Sequence, residues 1–313
     1  MSCPLSVEID NVDNLDNKKT GRTLDERFSH ISTRHPCFSG AAHMSRGRIH
    51  LPVSPVCNIQ CRFCKRSFNK TENRPGVASE LLSPAEALEL TGRALKLCPE
   101  ITVAGIAGPG DTLAGPQALE TFSLIHRAYP HLINCLSTNG LLLEERAEAL
   151  LEAGVRTITV TVNAVDPLIL DRICSRVTLD GRVYEGPQGA SLLIGAQKRG
   201  IRKAAGLGML VKINMVLIPT VNGDHIGEIA RTVEELGAGI INIIPLIPQH
   251  EFAAFKPPDC AELARAREAA EKRLPVFRHC RHCRADACGI PGKGDLGALL
   301  YGPREAEQTF SHG

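Results

Sequence analysis

Six apolar runs, Ile49 to Val56, Ile101 to Ile106, Leu132 to Leu136, Thr157 to Val162, Val211 to Ile218 and Ile240 to Ile247, recur along the chain with helical patterns between them. Short runs rich in Val, Ile and Leu predict strands buried on both faces, as in a parallel sheet. Parallel neighbours need right-handed crossovers, so the repetition predicts an α/β fold whose sheet curls into a partial or complete (β/α) barrel. The clearest crossover helix is SPAEALELTGRALKL, where Ser83 as N-cap, Pro84 at the first helical position and Glu86 form a capping box. ALETFSLIHRAY, EERAEALLEAG and HIGEIARTVEELGA are further helices, each closed or followed by Gly or Pro, and PDCAELARAREAAEKRL adds a charged one after the last run.

With Trp absent and aromatics at 4%, the core must be aliphatic, and 313 residues suffice for one barrel-sized unit with extensions. Residues 1 to about 34 are polar and aperiodic and read as a poorly ordered extension. The expected organisation is an N-terminal extension over 1–46, a barrel over 47–265 and a cysteine-bearing tail over 266–313.

The net charge of +2 from 36 basic and 34 acidic residues argues against nucleic acid as partner. No apolar run is long enough to span a bilayer and the N-terminus has no secretory pattern, so the expected compartment is the reducing cytosol. There, twelve cysteines point to metal ligation or catalysis before disulfides.

Cys57, Cys61 and Cys64 form a C-x3-C-x2-C triplet directly after the first predicted strand, where barrel chemistry belongs. Three thiolates hold three irons of a four-iron, four-sulfur cube and leave one iron open for a ligand. A zinc knuckle is the alternative, but structural zinc wants four ligands in short C-x2-C pairs. Other strand ends carry polar groups. AGIAGPGDTLA offers Gly105, Gly108 and Gly110, which let backbone approach a ligand, and then Asp111; CLSTNGL offers Ser137, Thr138 and Asn139; and TVTVNAVDP offers Asn163. These residues form a ligand rim or merely cap and turn the chain into the next helix. Cys135 belongs to the same rim or to the core.

The triplet, with Phe63 before its third cysteine, resembles the signature of the radical S-adenosylmethionine (SAM) superfamily, in which SAM occupies the open iron. More specifically, HPCFSGAAH, RIHLPVSPVCNIQCRFCKRS, NRPGVASELLSP, VAGIAGPGDTLA, LSTNGL, VTVNAVDP, LIPTVNGDH and HCRHCRADACGIPG, spanning about 35 to 293, resemble the NifB family of nitrogenase cofactor biosynthesis. The resemblance implies a radical SAM barrel with three four-iron, four-sulfur clusters, one binding SAM and two, K1 and K2, serving as substrates. These are fused around a carbide from a SAM methyl group into an eight-iron, nine-sulfur precursor. It places Cys37, Cys135 and His50 on K1, with His35 and His43 as rivals of His50, and Cys280 and Cys283 on K2. It gives Phe63, Gly108, Asp111, Ser137, Thr138, Asn139 and Asn163 to SAM, with Asp111 accepting from its ammonium. Arg278, Arg281 and Arg284 would balance cluster charge, Cys288 is a spare thiol or further K2 ligand, and Cys3, Cys98, Cys174 and Cys260 are non-ligands in the N-terminal tail or on helix patterns. Glu72 reads as an exposed loop carboxylate or a proton acceptor near the chemistry.

The implied partners are cluster donors, a ferredoxin-like electron donor and a cofactor carrier or maturation scaffold. The chain resembles the shorter form of the family, without an additional C-terminal cofactor-binding domain. The extension and tail are expected to close over the barrel mouth. The other readings are a cluster carrier without catalysis, or a different radical SAM maturase with auxiliary clusters.

Overall fold

The structure, a computed structural model, describes residues 24–301 and the strand Thr309–Phe310. Six parallel strands form one sheet: β1 (Gly47–His50), β2 (Ile101–Ile106), β3 (Ile133–Thr138), β4 (Val155–Thr161), β5 (Leu210–Leu217) and β6 (Ile240–Pro245). They stand side by side in chain order, so each crossover returns the chain one strand further along. The crossovers carry α1 (Pro84–Leu97), α2 (Gln117–Ala128), α3 (Leu143–Glu152), α4 (Gly186–Gly206) and α5 (Ile226–Glu235), and α6 (Cys260–Glu271) follows β6. The sheet curls but does not close, giving a half-barrel. The capping box on α1 forms: Ser83 Oγ accepts from the Glu86 amide at 3.3 Å and the Glu86 carboxylate accepts from the Ser83 amide at 2.8 Å.

Strand residues facing the helices, such as Ile49, Ile106, Leu136 and Ile158, pack with Phe122 and Ile125 of α2 in an aliphatic core, all at 0–1% exposure. Burial of each such side chain contributes about 1.5–3 kcal/mol. The barrel-facing residues are different in kind: Arg48, His50, Cys135, Ser137, Thr159, Lys212, Asn214 and Asn242 alternate with the core set along their strands.

Two segments complete the half-barrel. The tail pairs with both free edges of the sheet. At β6, the Phe277 amide donates to the Ile241 carbonyl at 2.8 Å, and at β1 the strand β7 (Cys288–Gly289) pairs antiparallel with Arg48 and Ile49. The tail therefore spans the opening, a more intimate closure than a lid over the mouth.

The extension also departs from the expectation. Residues 1–23 lie outside the described region, but Glu26–Phe28 and Ser29–Ser32 are short helices rather than disorder. Ile31 and Phe38 bury against Val103, Ile133, Leu210 and Ile240. These are residues at the starts of strands, so the extension plugs the end of the barrel opposite the mouth it was expected to cover.

The sequence reading missed α4, whose Gly195 and Gly200 blur the apolar period, and a hairpin made by Cys174–Leu179 and Arg182–Glu185. Its Asp180-Gly181 turn has φ of 50° and 74°, the conformation that an Asp-Gly pair favours in a two-residue hairpin. The expected border at 265/266 falls inside α6.

Candidate functional site

One cavity of about 390 Å³ runs through the half-barrel, and all fifteen residues expected to serve the site line it. At the strand ends it meets Cys57, Cys61, Phe63, Cys64, Gly108, Asp111, Ser137, Thr138, Asn139 and Asn163, and deeper in, Cys37, His50, Cys135, Cys280 and Cys283.

The triplet loop is held by its neighbours. Ile59–Cys61 pairs with the Cys174 strand, and the Gly110 and Asp111 amides donate to the carbonyls of Ser54 and Val56 at 2.7 and 2.8 Å. The glycine at 110 thus serves contact between two loops. Asp111 lies on the cavity wall with its carboxylate engaged by the Leu113 amide at 2.9 Å, the Asn139 amide at 2.6 Å and the Thr138 hydroxyl at 3.0 Å. Burial raises its pKa, against those donors. It fastens the end of β3 to the turn after β2, and little of its accepting capacity is left for a ligand ammonium. Asn163 likewise accepts from the Val216 amide at 2.9 Å, tying β4 to β5. Asn139 donates to Asn58 Oδ1 at 2.6 Å and reaches towards Cys57 Sγ at 3.9 Å.

The donor set suits an iron–sulfur cluster. Burial pushes the Cys57 thiol up to about 12 and raises Cys64, and Cys61 is pushed well up by its hydrogen bond with Cys174. Buried thiols of this kind keep their protons until a soft metal displaces them. Arg66, 2% exposed, lies within Coulombic reach of all three and supplies charge compensation for thiolates. Among the described residues no three of His, Cys, Asp or Glu could share one metal ion. A cube asks something else, because each thiolate takes its own iron.

Deeper in the barrel, Cys37 and Cys135 are pushed up to about 12 and about 11 by burial, and Cys37 lies within Coulombic reach of both Cys135 and Cys283. His50 Nδ1 bonds the Arg284 carbonyl at 3.0 Å, which leaves Nε2 as the nitrogen available to a ligand. Gly105 makes room for that ring: a Cβ there would stand 3.1 Å from His50 Cδ2. Of the rivals, His35 Nδ1 accepts from the Cys37 amide at 3.1 Å, and His43 Nδ1 bonds the Pro36 carbonyl at 2.9 Å.

A family model described as the Radical SAM superfamily matches residues 51–233. The FeMo cofactor biosynthesis protein NifB of Methanocaldococcus infernus is 47% identical over 286 residues, covering 91% of this chain and 94% of that protein. The chain belongs to the NifB family. The NifB of Klebsiella pneumoniae is 41% identical over 83% of this chain and 57% of its own length. A solved structure described as native anSMEcpe with bound AdoMet shares the fold at TM-score 0.51 and 16% identity, over 73% of this chain and 63% of that one. The half-barrel is accordingly a radical SAM fold, and the chain is a radical SAM enzyme of FeMo cofactor biosynthesis.

Against the NifB resemblance, several particulars change. Arg278 is paired with Glu271 at 2.5 Å and Arg284 with Asp286 at 2.8 Å, so of the three tail arginines only Arg281 lines the cavity. The buried cations on the wall are instead Arg48, Arg66, Arg74 and Lys212, the last donating to the Cys37 carbonyl at 2.8 Å. Sequence reasoning missed them, although polar residues at alternate positions of apolar strands, as in VKINM and GRIH, were the available signal. Cys288 is fully buried in the aliphatic core and is a spare thiol by position. Cys174 sits on a strand opposite Cys61 and lines the cavity, not on a helix as expected. Cys98 is buried in the core beside the end of α1, Cys260 opens α6, and Cys3 lies outside the described residues. Glu72 accepts from Arg74 and Asn69 away from the cavity lining. Among the described residues no helix is long and apolar enough to cross a membrane.

Proposed function

We propose that this chain joins two four-iron, four-sulfur clusters, delivered as substrates, around a carbide taken from a SAM methyl group, and releases an eight-iron, nine-sulfur precursor of the FeMo cofactor. The observation that carries the reading is the single cavity, which unites the triplet with Cys37, Cys135 and His50 from one side and with the tail's Cys280 and Cys283. When bound on Cys57, Cys61 and Cys64, the resident cluster with SAM supplies a methyl donor and a source of carbon-radical chemistry. Three such clusters are required in all: the resident one and the two substrates.

The chain's own residues bind, orient and exclude. Phe63, Gly108, Ser137 and Asn163 face the SAM position. Asp111 and Thr138 stiffen the wall that carries them, and Asn139 orients towards Cys57. Cys37, Cys135 and His50 Nε2 hold the first substrate cluster, and Cys280 and Cys283 the second. So few protein ligands per substrate let the fused product leave. The extension beneath the barrel and the tail across its opening exclude water and oxygen. Cluster donors, a ferredoxin-like reductant and a cofactor carrier or scaffold complete the cycle in the cytosol.

The test is anaerobic reconstitution with a reductant and SAM. Both 5'-deoxyadenosine and S-adenosylhomocysteine are expected, with about twelve irons per chain falling to about four when Cys37, Cys135, Cys280 and Cys283 are all replaced by Ser. Absence of both nucleoside products would reduce the chain to a cluster carrier.

A further inference from the structure

Arg48 and His50, two residues apart on β1, both face the cavity. Arg48 is 5% exposed. Its Nη1 donates to the Gly289 carbonyl at 2.5 Å and its Nη2 reaches Cys283 Sγ at 3.2 Å. The Nε is buried and, among the described residues, has no hydrogen-bond partner. Asp295, the carboxylate within its Coulombic reach, is engaged by the amides of Cys288 and Gly297 at 3.1 and 2.8 Å. A guanidinium keeps its proton in a protein, and burying one without a counter-charge is costly. Asp295 is thus a counter-charge at a distance, and the groups nearest the fork are sulfurs: Cys283 in contact and Cys37 within Coulombic reach.

We propose that Arg48 is a positioning residue set between the two substrate-cluster sites, fixing Cys283 with its planar fork and balancing the negative charge of the cluster that Cys283 holds. The inference rests on the reading of Cys280 and Cys283 as ligands of a substrate cluster. The fork does two things at once. Through Gly289 it pins β7 to β1, and through Cys283 it sets the direction of a ligand that would otherwise hang on an irregular loop. Its charge also favours the more reduced, more anionic form of the adjacent cluster, which raises that cluster's reduction potential. Lysine has the charge but not the bidentate geometry, so the two contributions are separable.

The experiment compares the full chain with Arg48→Met and Arg48→Lys after anaerobic loading, by iron content and by redox titration followed with EPR. In Arg48→Met the tail cluster is either lost, with iron lower by about four, or harder to reduce. In the second case the reduced-to-oxidised ratio at fixed potential falls about tenfold, equivalent to about 59 mV for a one-electron couple. Arg48→Lys recovers the iron or most of the shift, and the triplet cluster keeps its EPR response to SAM in both variants. Unchanged iron and unchanged potential in Arg48→Met overturn the proposal, as does an Arg48→Lys variant that keeps its tail cluster but titrates at the lowered potential of Arg48→Met, because the charge then does not act on the cluster. A wild-type chain that binds no tail cluster sinks the proposed function itself, a result separate from either.

Discussion

Gly110→Ala is the substitution that most directly tests how the site is built. A Cβ at this position would stand 2.1 Å from the Val56 carbonyl oxygen and 2.5 Å from its carbon, both backbone atoms of the residue preceding Cys57. Backbone cannot rotate away as a side-chain tip can, so the two loops must part. Parting them breaks the bonds from Gly110 to Ser54 and from Asp111 to Val56, at 2.7 and 2.8 Å. Each such bond contributes about 1 kcal/mol net, and overpacking adds about 1–3 kcal/mol, for an expected loss of about 3–5 kcal/mol. The damage falls first on the triplet, since Val56 leads into Cys57. Urea denaturation of the cluster-free chain should record the stability loss. Iron analysis should find about four irons missing, and EPR should find the SAM-responsive signal missing. A variant within about 0.5 kcal/mol of wild type that still loads a SAM-responsive cluster would show that the loops do not depend on each other as argued.

Gly227→Ala is the control. This glycine lies in α5 with nothing within 4 Å of an added Cβ, so the same urea assay should find a gain of about 0.5–1 kcal/mol. Replacing Cys280 and Cys283 with Ser should lower iron from about twelve to about eight per chain and leave SAM cleavage intact, read by iron content and by release of 5'-deoxyadenosine. Burial, reinforced by the charge of Arg48, depresses His50 to about 4, and burial holds His35 well below its ordinary value. Both are neutral in the fold while the unfolded chain protonates near pH 6.5, so their contribution is complete above that pH and is lost as pH falls towards 4. The cluster-free chain should weaken between those limits by about 1.4 kcal/mol per pH unit for each histidine, and His50→Gln should make the decline shallower by one proton's worth.

The half-barrel was legible because its strands obey one rule throughout: six aliphatic runs, each sealed by a helix and paired in chain order. Ser83 and Glu86 announced α1 for the same reason, since a capping box is a purely local device. What escaped was non-local. The extension carries no periodic pattern, and Ile31 and Phe38 become core only because strand starts from four crossovers converge beneath them. The tail arginines looked like the charge compensation in a linear reading. Folding spends Arg278 and Arg284 on carboxylates, while Arg48 and Lys212, isolated within apolar runs, reach the cavity. Cysteine spacing gave the triplet directly, whereas the meeting of Cys37, Cys135 and Cys283 joins positions nearly 250 residues apart and depended on resemblance.

The two kinds of cysteine are mounted differently, and the difference bears on turnover. The triplet loop is laced to the barrel by the turn after β2 and by the Cys174 strand. Cys280 and Cys283 ride instead on irregular chain stretched between two anchors, Phe277 on β6 and Cys288 on β1, with the Ala285 amide donating to Val77 at 2.8 Å shortly before the second. Within it His282 adopts φ of 51°, a left-handed conformation that costs a non-glycine residue about 1–2 kcal/mol. Under the proposed function, a fixed resident cluster and a yielding pair of ligands for one substrate cluster suit an enzyme that must release its product. Hydrogen exchange on the cluster-free chain should therefore find the amides of 278–284 exchanging well before those of Phe277, Ala285 and His50. Equal protection across the whole tail would mean that it is as rigid as the barrel, and product would then have to leave by another route.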